Sequence, residues 1–66
     1  MINTIKIARV TQDLTQAELA EKIGVTRQTI IAIESQNYTP SVLIALKISK
    51  VLKIPLEVLF VLESND

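Results

Sequence analysis

Thr15-Gln-Ala-Glu-Leu-Ala-Glu-Lys-Ile-Gly-Val-Thr-Arg-Gln-Thr-Ile-Ile-Ala-Ile-Glu34 carries two helix starts and one helix stop within twenty residues. Thr15 with Glu18 three places on fits a capping box, in which a hydroxyl and a carboxylate satisfy amides that the first turn leaves unpaired. Leu19, Ala20 and Ile23 then recur at helical spacing and face inward. Gly24 stands where a left-handed residue would end a helix of about two turns. Thr26 is a second N-cap, and the next helix runs from Arg27 to about Ser35 with Ile30 and Ile33 as its inner face. The order is helix, four-residue turn, helix. Ala20 lets the two helices approach closely, Gly24 permits the sharp turn, and Val25 plugs the angle between them. The second helix is thereby held proud of the surface.

Working outward, residues Thr4 to Gln12 read as a first helix with Ile5 and Ala8 inward, and Leu14 follows in the connection. Gln36-Asn37-Tyr38-Thr39-Pro40 breaks the pattern, and Ser41 caps a fourth helix to about Leu52, with Val42, Ala45, Leu46, Ile48 and Leu52 as its expected buried stripe. Lys47, Lys50 and Lys53 mark its wet face. Pro55 opens a short fifth helix through Leu59. Residues Phe60 to Asp66 stand between a short strand and a frayed tail; a strand at 60–62 would pair with the extended Met1–Asn3 segment. The fold class expected is all-α, a single five-helix domain over residues 1–66 with a short terminal β-strand pair as its one open feature.

Composition removes several functions. With 66 residues, the chain is one domain of marginal stability unless something supplements it. It has no Cys and no His, so disulfides, thiolate metal sites, the commonest metal ligand and the commonest general base are all excluded. One Gly cannot build a phosphate-cradling loop, and Glu18, Glu21 and Glu34 have no His, Cys or metal cluster to work with. An enzyme is not expected, nor any cofactor or small-molecule ligand. The apolar runs fall short of the ~20 residues that span a bilayer, and the N-terminus lacks a signal-peptide pattern, so a cytoplasmic chain without membrane contact is expected. Dimerisation is the supplement left, and the apolar run Phe60-Val61-Leu62 together with Leu56 is its candidate seam, within a C-terminal segment of about 55–62.

Net charge is 0, which argues against coating nucleic acid by bulk charge. The distribution is uneven, because residues 1–54 hold all seven basic residues and only four of the seven acidic ones. On the outward side of the second helix of the pair, Arg27, Gln28 and Thr29 offer a fork of donors, an amide and a hydroxyl suited to base edges in a major groove.

The run LTQAELAEKIGVTRQTI from Leu14 to Ile30, with Pro40-Ser41-Val42 and Leu56-Glu57-Val58-Leu59-Phe60 at matching spacing, resembles the Cro/repressor-type (XRE-like) helix-turn-helix regulators. The resemblance spans residues 3 to about 60. It implies five helices and a transcriptional regulator, in expectation a repressor, that binds a pseudo-palindromic double-stranded operator as a homodimer. It also implies that Gln16 meets the phosphate backbone, that Arg27, Gln28 and Ala32 face the bases, and that Arg9 and Glu34 form an internal ion pair. Thr26, Thr29, Ile31, Asn37 and Tyr38 complete the DNA-facing set, with Ile31 placed to touch a thymine methyl. Ile7, Val10, Ile31 and Leu43 depart from the family pattern by being apolar where such chains carry polar residues, which points to extra apolar contacts. The alternative reading is a protein-interaction module, such as an antitoxin or adaptor on the same fold.

Overall fold

The structure is a computed structural model that describes residues 1–66. The order is β1 (Ile2–Asn3), α1 (Ile5–Thr11), α2 (Gln16–Ile23), α3 (Arg27–Glu34), α4 (Val42–Leu52), α5 (Leu56–Leu59) and β2 (Phe60–Val61). Five helices enclose one aliphatic core: Ile5 and Ala8 from α1, Leu19, Ala20 and Ile23 from α2, Ile30 and Ile33 from α3, Ile48 and Leu52 from α4, and Leu59 from α5. With no large aromatic in the centre, seven side chains, all Ile or Leu, supply the fully buried volume.

Local chemistry sets the boundaries. At the start of α2, Thr15 Oγ1 accepts from the Glu18 amide at 3.0 Å and Glu18 Oε1 accepts from the Thr15 amide at 2.8 Å, a complete capping box. Gly24 ends α2 in the left-handed region at φ 77°, and the Val25 amide returns to the Ala20 carbonyl. Three residues, not four, link α2 to α3, because Thr26 already accepts from the Thr29 amide and starts the new helix. Val25 is half-buried against the core at the angle between the two helices. Ser41 caps α4 by accepting from the Ile44 amide.

The chain ends pair. Ile2 faces Val61 and Asn3 faces Phe60 in an antiparallel two-stranded sheet, and the Thr4 amide donates to Leu59 at 2.9 Å. Residues 62–66 continue as an exposed tail. There Asp66 Oδ2 lies 2.7 Å from the Met1 ammonium. Hydrogen bonding between the two raises the ammonium pKa and lowers that of Asp66. No helix is long and apolar enough to cross a membrane.

The buried stripe of α4 differs from the expected one. Val42 and Leu46 are 73% and 51% exposed, and Ile44 and Val51 take their place as half-buried core partners beside Ala45, Ile48 and Leu52. At 3.6 residues per turn, Ala45, Ile48 and Leu52 define one face, which Ile44 and Val51 flank; Val42, Leu43 and Leu46 lie on the other side. The run Val-Leu-Ile-Ala-Leu offers no polar residue to set the phase.

Candidate nucleic-acid interface

The position of α3 is set by a buried ion pair at its far end. Arg9 on α1 donates from Nε to Glu34 Oε2 at 2.7 Å and from Nη2 to Glu34 Oε1 at 3.2 Å. The side chains are 9% and 4% exposed. The same guanidinium donates from Nη1 to the Leu14 carbonyl at 2.6 Å, which fixes the link between α1 and α2. Gln16, the first residue of α2, donates from Nε2 to Glu34 Oε1 at 3.1 Å. One carboxylate thus gathers α1, α2 and the end of α3, and no buried side-chain polar atom in the molecule lacks a partner.

The near end of α3 is left free. Arg27 takes no part in the ion pairs of the molecule, which join Met1 to Glu63 and Asp66 and Arg9 to Glu34. Arg27 and Gln28 are both exposed on the first turn. Thr26 and Thr29 are committed to the cap, their hydroxyls 3.1 Å apart. The two flanks of α3 open into separate shallow concavities. One is lined by Thr15, Gln16, Ala17 and Arg27 together with Arg9, Val10, Asp13 and Leu14. The other brings Gln28, Thr29 and Ala32 together with Tyr38 from the following turn. Ile31, one turn beyond Arg27, is half-buried and lines neither concavity, and Asn37 is exposed outside both. The amides of Gln16 and Ala17 donate to no group of the protein, since the first helical turn offers them no carbonyl and the capping box engages only those of Thr15 and Glu18.

The residues of the candidate seam also divide. Leu56 and Phe60 line an apolar cleft of about 180 Å³ with Met1, Thr39, Pro40, Val42 and Ala45. That is smaller than the roughly 300–1,000 Å³ of a small-molecule pocket and sized for a side chain or two. Val61 and Leu62 lie outside the cleft, 46% and 76% exposed. Of the apolar departures from the family pattern, Ile7, Val10 and Leu43 are 70%, 55% and 63% exposed.

Sequence reasoning missed one polar brace near this surface. Asn3 donates from Nδ2 to the Ile33 carbonyl at 2.8 Å. The Gln36 side-chain amide accepts from the Asn3 amide at 3.0 Å and donates to the Asn3 carbonyl at 3.2 Å, so it occupies the free edge of β1 as a strand would. Gln36 achieves this in a left-handed conformation, φ 69°. No sequence signal marks a contact between residues thirty-three apart.

With this geometry in place, comparison with known proteins is direct. A family model described as helix-turn-helix matches residues 5–59. A protein of Methanocaldococcus jannaschii, named as an HTH-type transcriptional regulator, is 46% identical over 66 residues, covering 100% of both chains. The HTH-type transcriptional regulator YgzD of Bacillus subtilis is 44% identical, also over 100% of both chains. A solved structure titled as a complex of the SinR and SinI proteins superposes with a TM-score of 0.79 at 31% identity over 92% of this chain, which spans 65% of the matched chain. Family match, full-length relatives and fold agree: the chain belongs to the helix-turn-helix family of DNA-binding transcriptional regulators, which is not a family of enzymes.

Proposed function

We propose that the protein is a sequence-specific repressor that binds a pseudo-palindromic double-stranded operator as a homodimer, with α3 in the major groove. The observation that carries the reading is the contrast along α3: its far end is locked by Arg9 and Glu34, while Arg27 and Gln28 project from its first turn with no ion pair. A rigid helix with uncommitted donors at its N-terminus is what base readout requires, because each bidentate contact needs a fixed direction. Gln28, Thr29, Ala32 and Tyr38 line the concavity on one flank, and Thr26, Ile31 and Asn37 complete the proposed DNA-facing set. On the other flank the free amides of Gln16 and Ala17 at the start of α2 suit a backbone phosphate. Acting on DNA places the chain in the cytoplasm.

The two-fold dimer rests on dimensions and surface. The molecule is 32 Å in its longest extent. One copy carries a single α3, so two recognition helices about 34 Å apart along a duplex need a second copy, and two molecules of this extent side by side can span that distance. The residues of about 55–62 supply the self-complementary patch: Leu56 and Phe60 in the apolar cleft, and Val61 and Leu62 beside it.

The test is operator affinity after selection of bound genomic fragments. Arg27→Ala and Gln28→Ala should each cost about 1–3 kcal/mol and relax sequence preference, with the melting temperature unchanged. Wild-type affinity in both variants would refute α3 as the reading head. A second reading, a protein-interaction module, is favoured by the exposed Ile7, Val10 and Leu43 and by the SinR–SinI title of the structural neighbour. Salt separates the two. Duplex binding through Lys and Arg weakens steeply as salt rises, whereas an apolar partner surface hardly responds.

A further inference from the structure

We propose that Glu34 is a positioning residue for DNA: through its hydrogen bond to Gln16 it aims the Gln16 amide at the phosphate backbone. The inference rests on the DNA reading above and deepens it, because it gives the Arg9–Glu34 pair a role in binding as well as in stability.

Chemistry settles which way Gln16 is turned. A carboxylate only accepts, so the amide nitrogen and not the carbonyl of Gln16 must face Glu34 Oε1, 3.1 Å away. An amide is planar and carries two N–H groups on that nitrogen. Once one is bound, the direction of the other is set, and Gln16 borders the concavity shared with Ala17 and Arg27. A phosphate needs a donor, and the second N–H supplies it. A free glutamine would lose its rotamer entropy on meeting DNA, whereas an anchored one has already lost it on folding. Arg9 completes the device by neutralising Glu34. With three of its five N–H groups bound to Glu34 and Leu14, it keeps a bare carboxylate from repelling the approaching phosphate.

The experiment is a double-mutant cycle on operator affinity across a salt series. The background variant replaces the buried pair by apolar side chains of similar length, Arg9→Met with Glu34→Leu, a class of exchange that retains folds. In the otherwise wild-type protein, Gln16→Ala should weaken binding about tenfold for all sequences, the worth of one hydrogen bond to a charged group. The slope of log affinity against log salt should stay unchanged, since glutamine displaces no counterion. The Met/Leu background should already have lost that factor, and Gln16→Ala in it should cost less than about twofold. An equal cost of Gln16→Ala in both backgrounds overturns the proposal, as does no cost in either. Failure of the DNA reading looks different, as wild-type affinity in Arg27→Ala and Gln28→Ala. Should the Met/Leu background not fold, side-chain order in the unmodified protein decides: the Gln16 Nε2 group should be as rigid as backbone, S² about 0.85, against below about 0.6 for the exposed Gln28. Equal mobility of Gln16 and Gln28 overturns the proposal.

Discussion

The α2–α3 region and the α4–α5–β2 region, the second clearly the richer in apolar residues, are held in place by different means. The first is specified by polar groups: a capping box at Thr15 and Glu18, a left-handed Gly24, the Thr26 cap and the Arg9–Glu34–Gln16 network. The second is specified by burial, with Ala45, Ile48, Leu52 and Leu59 inside, and it leaves Val42, Leu43, Leu46, Val58, Val61 and Leu62 in water. Polar specification fixes directions, and a reading head needs fixed directions. Apolar exposure leaves area, and area is what a second chain covers. The division of labour proposed above follows from that difference.

The sharpest way to break the comparison is to remove the polar anchor. Glu34→Ala strands a guanidinium that is 9% exposed, and breaking a buried pair by deleting one partner costs about 3–5 kcal/mol. For a domain of this size each kcal/mol lowers the melting temperature by about 4–8 °C, so the drop should exceed about 12 °C. A shift of only a degree or two would mean that apolar packing alone holds α3, and the contrast between the regions would vanish. The matching attack on the second region is Leu62→Asp. Leu62 is 76% exposed, so the monomer should melt as before, whereas a dimer seam that takes in this residue should lose about 2 kcal/mol or more from an unpaired charge. Sedimentation at micromolar concentration should show monomers, and an unchanged dimer would move the seam away from residues 60–62. Phe60→Asp is the less clean probe, because Phe60 also packs against its own core.

The same difference explains what was legible in the sequence. The α2–α3 boundaries were readable because each depends on residues within four places of one another, and a Thr three positions from a Glu is visible without knowing the fold. The pairing of the chain ends stood open in the sequence, conditional on a strand at 60–62, and the structure forms that strand at Phe60–Val61. In α4 the start was legible at Ser41, but its phase was not: five apolar residues in a row look alike from every side, and only packing against the common core decides that Ile44 goes in and Leu46 stays out. The Asn3–Gln36 brace and the turn of Gln16 toward Glu34 were invisible for a further reason. They are long-range contacts made by uncharged side-chain amides, one with another amide and one with the Glu34 carboxylate, and an amide gives no signal in periodicity or charge patterning.

A smaller effect tests whether the turn between α2 and α3 is conformational or steric. A Cβ placed on Gly24 would meet nothing within 4 Å, so Gly24→Ala should cost only the left-handed backbone penalty, about 1–2 kcal/mol. Its counterpart in the second region is Lys53, which ends α4 with φ 58° and a side chain. Lys53→Gly should relieve that penalty and give a net gain below about 1 kcal/mol once glycine's extra unfolded entropy is deducted. A loss at Gly24 well beyond 2 kcal/mol would show that the turn tolerates no side chain for reasons of space, contrary to its open surroundings.

The smallest effect isolates a single polar device of the first region, the capping box, through pH. The hydrogen bond from the Thr15 amide, with a smaller contribution from the Thr15 side chain, lowers the pKa of Glu18 below its ordinary value of 4.5. A carboxyl whose folded pKa lies below the unfolded one binds its proton more weakly in the folded chain. It therefore contributes stability above the unfolded value, and that contribution disappears as pH falls through the folded value. Glu18→Gln is the right reference, since its amide oxygen can still accept from the Thr15 backbone but does not titrate. The difference in melting temperature between wild type and Glu18→Gln should be constant from about pH 7 to 5 and should shrink in favour of the variant below about pH 4.5. Asp66, whose pKa is also lowered, is the same in both proteins and cancels in the difference. A difference that stays flat to about pH 3 would mean that the box works as a neutral hydrogen-bond pair, and that the ionised carboxylate adds nothing to the start of α2.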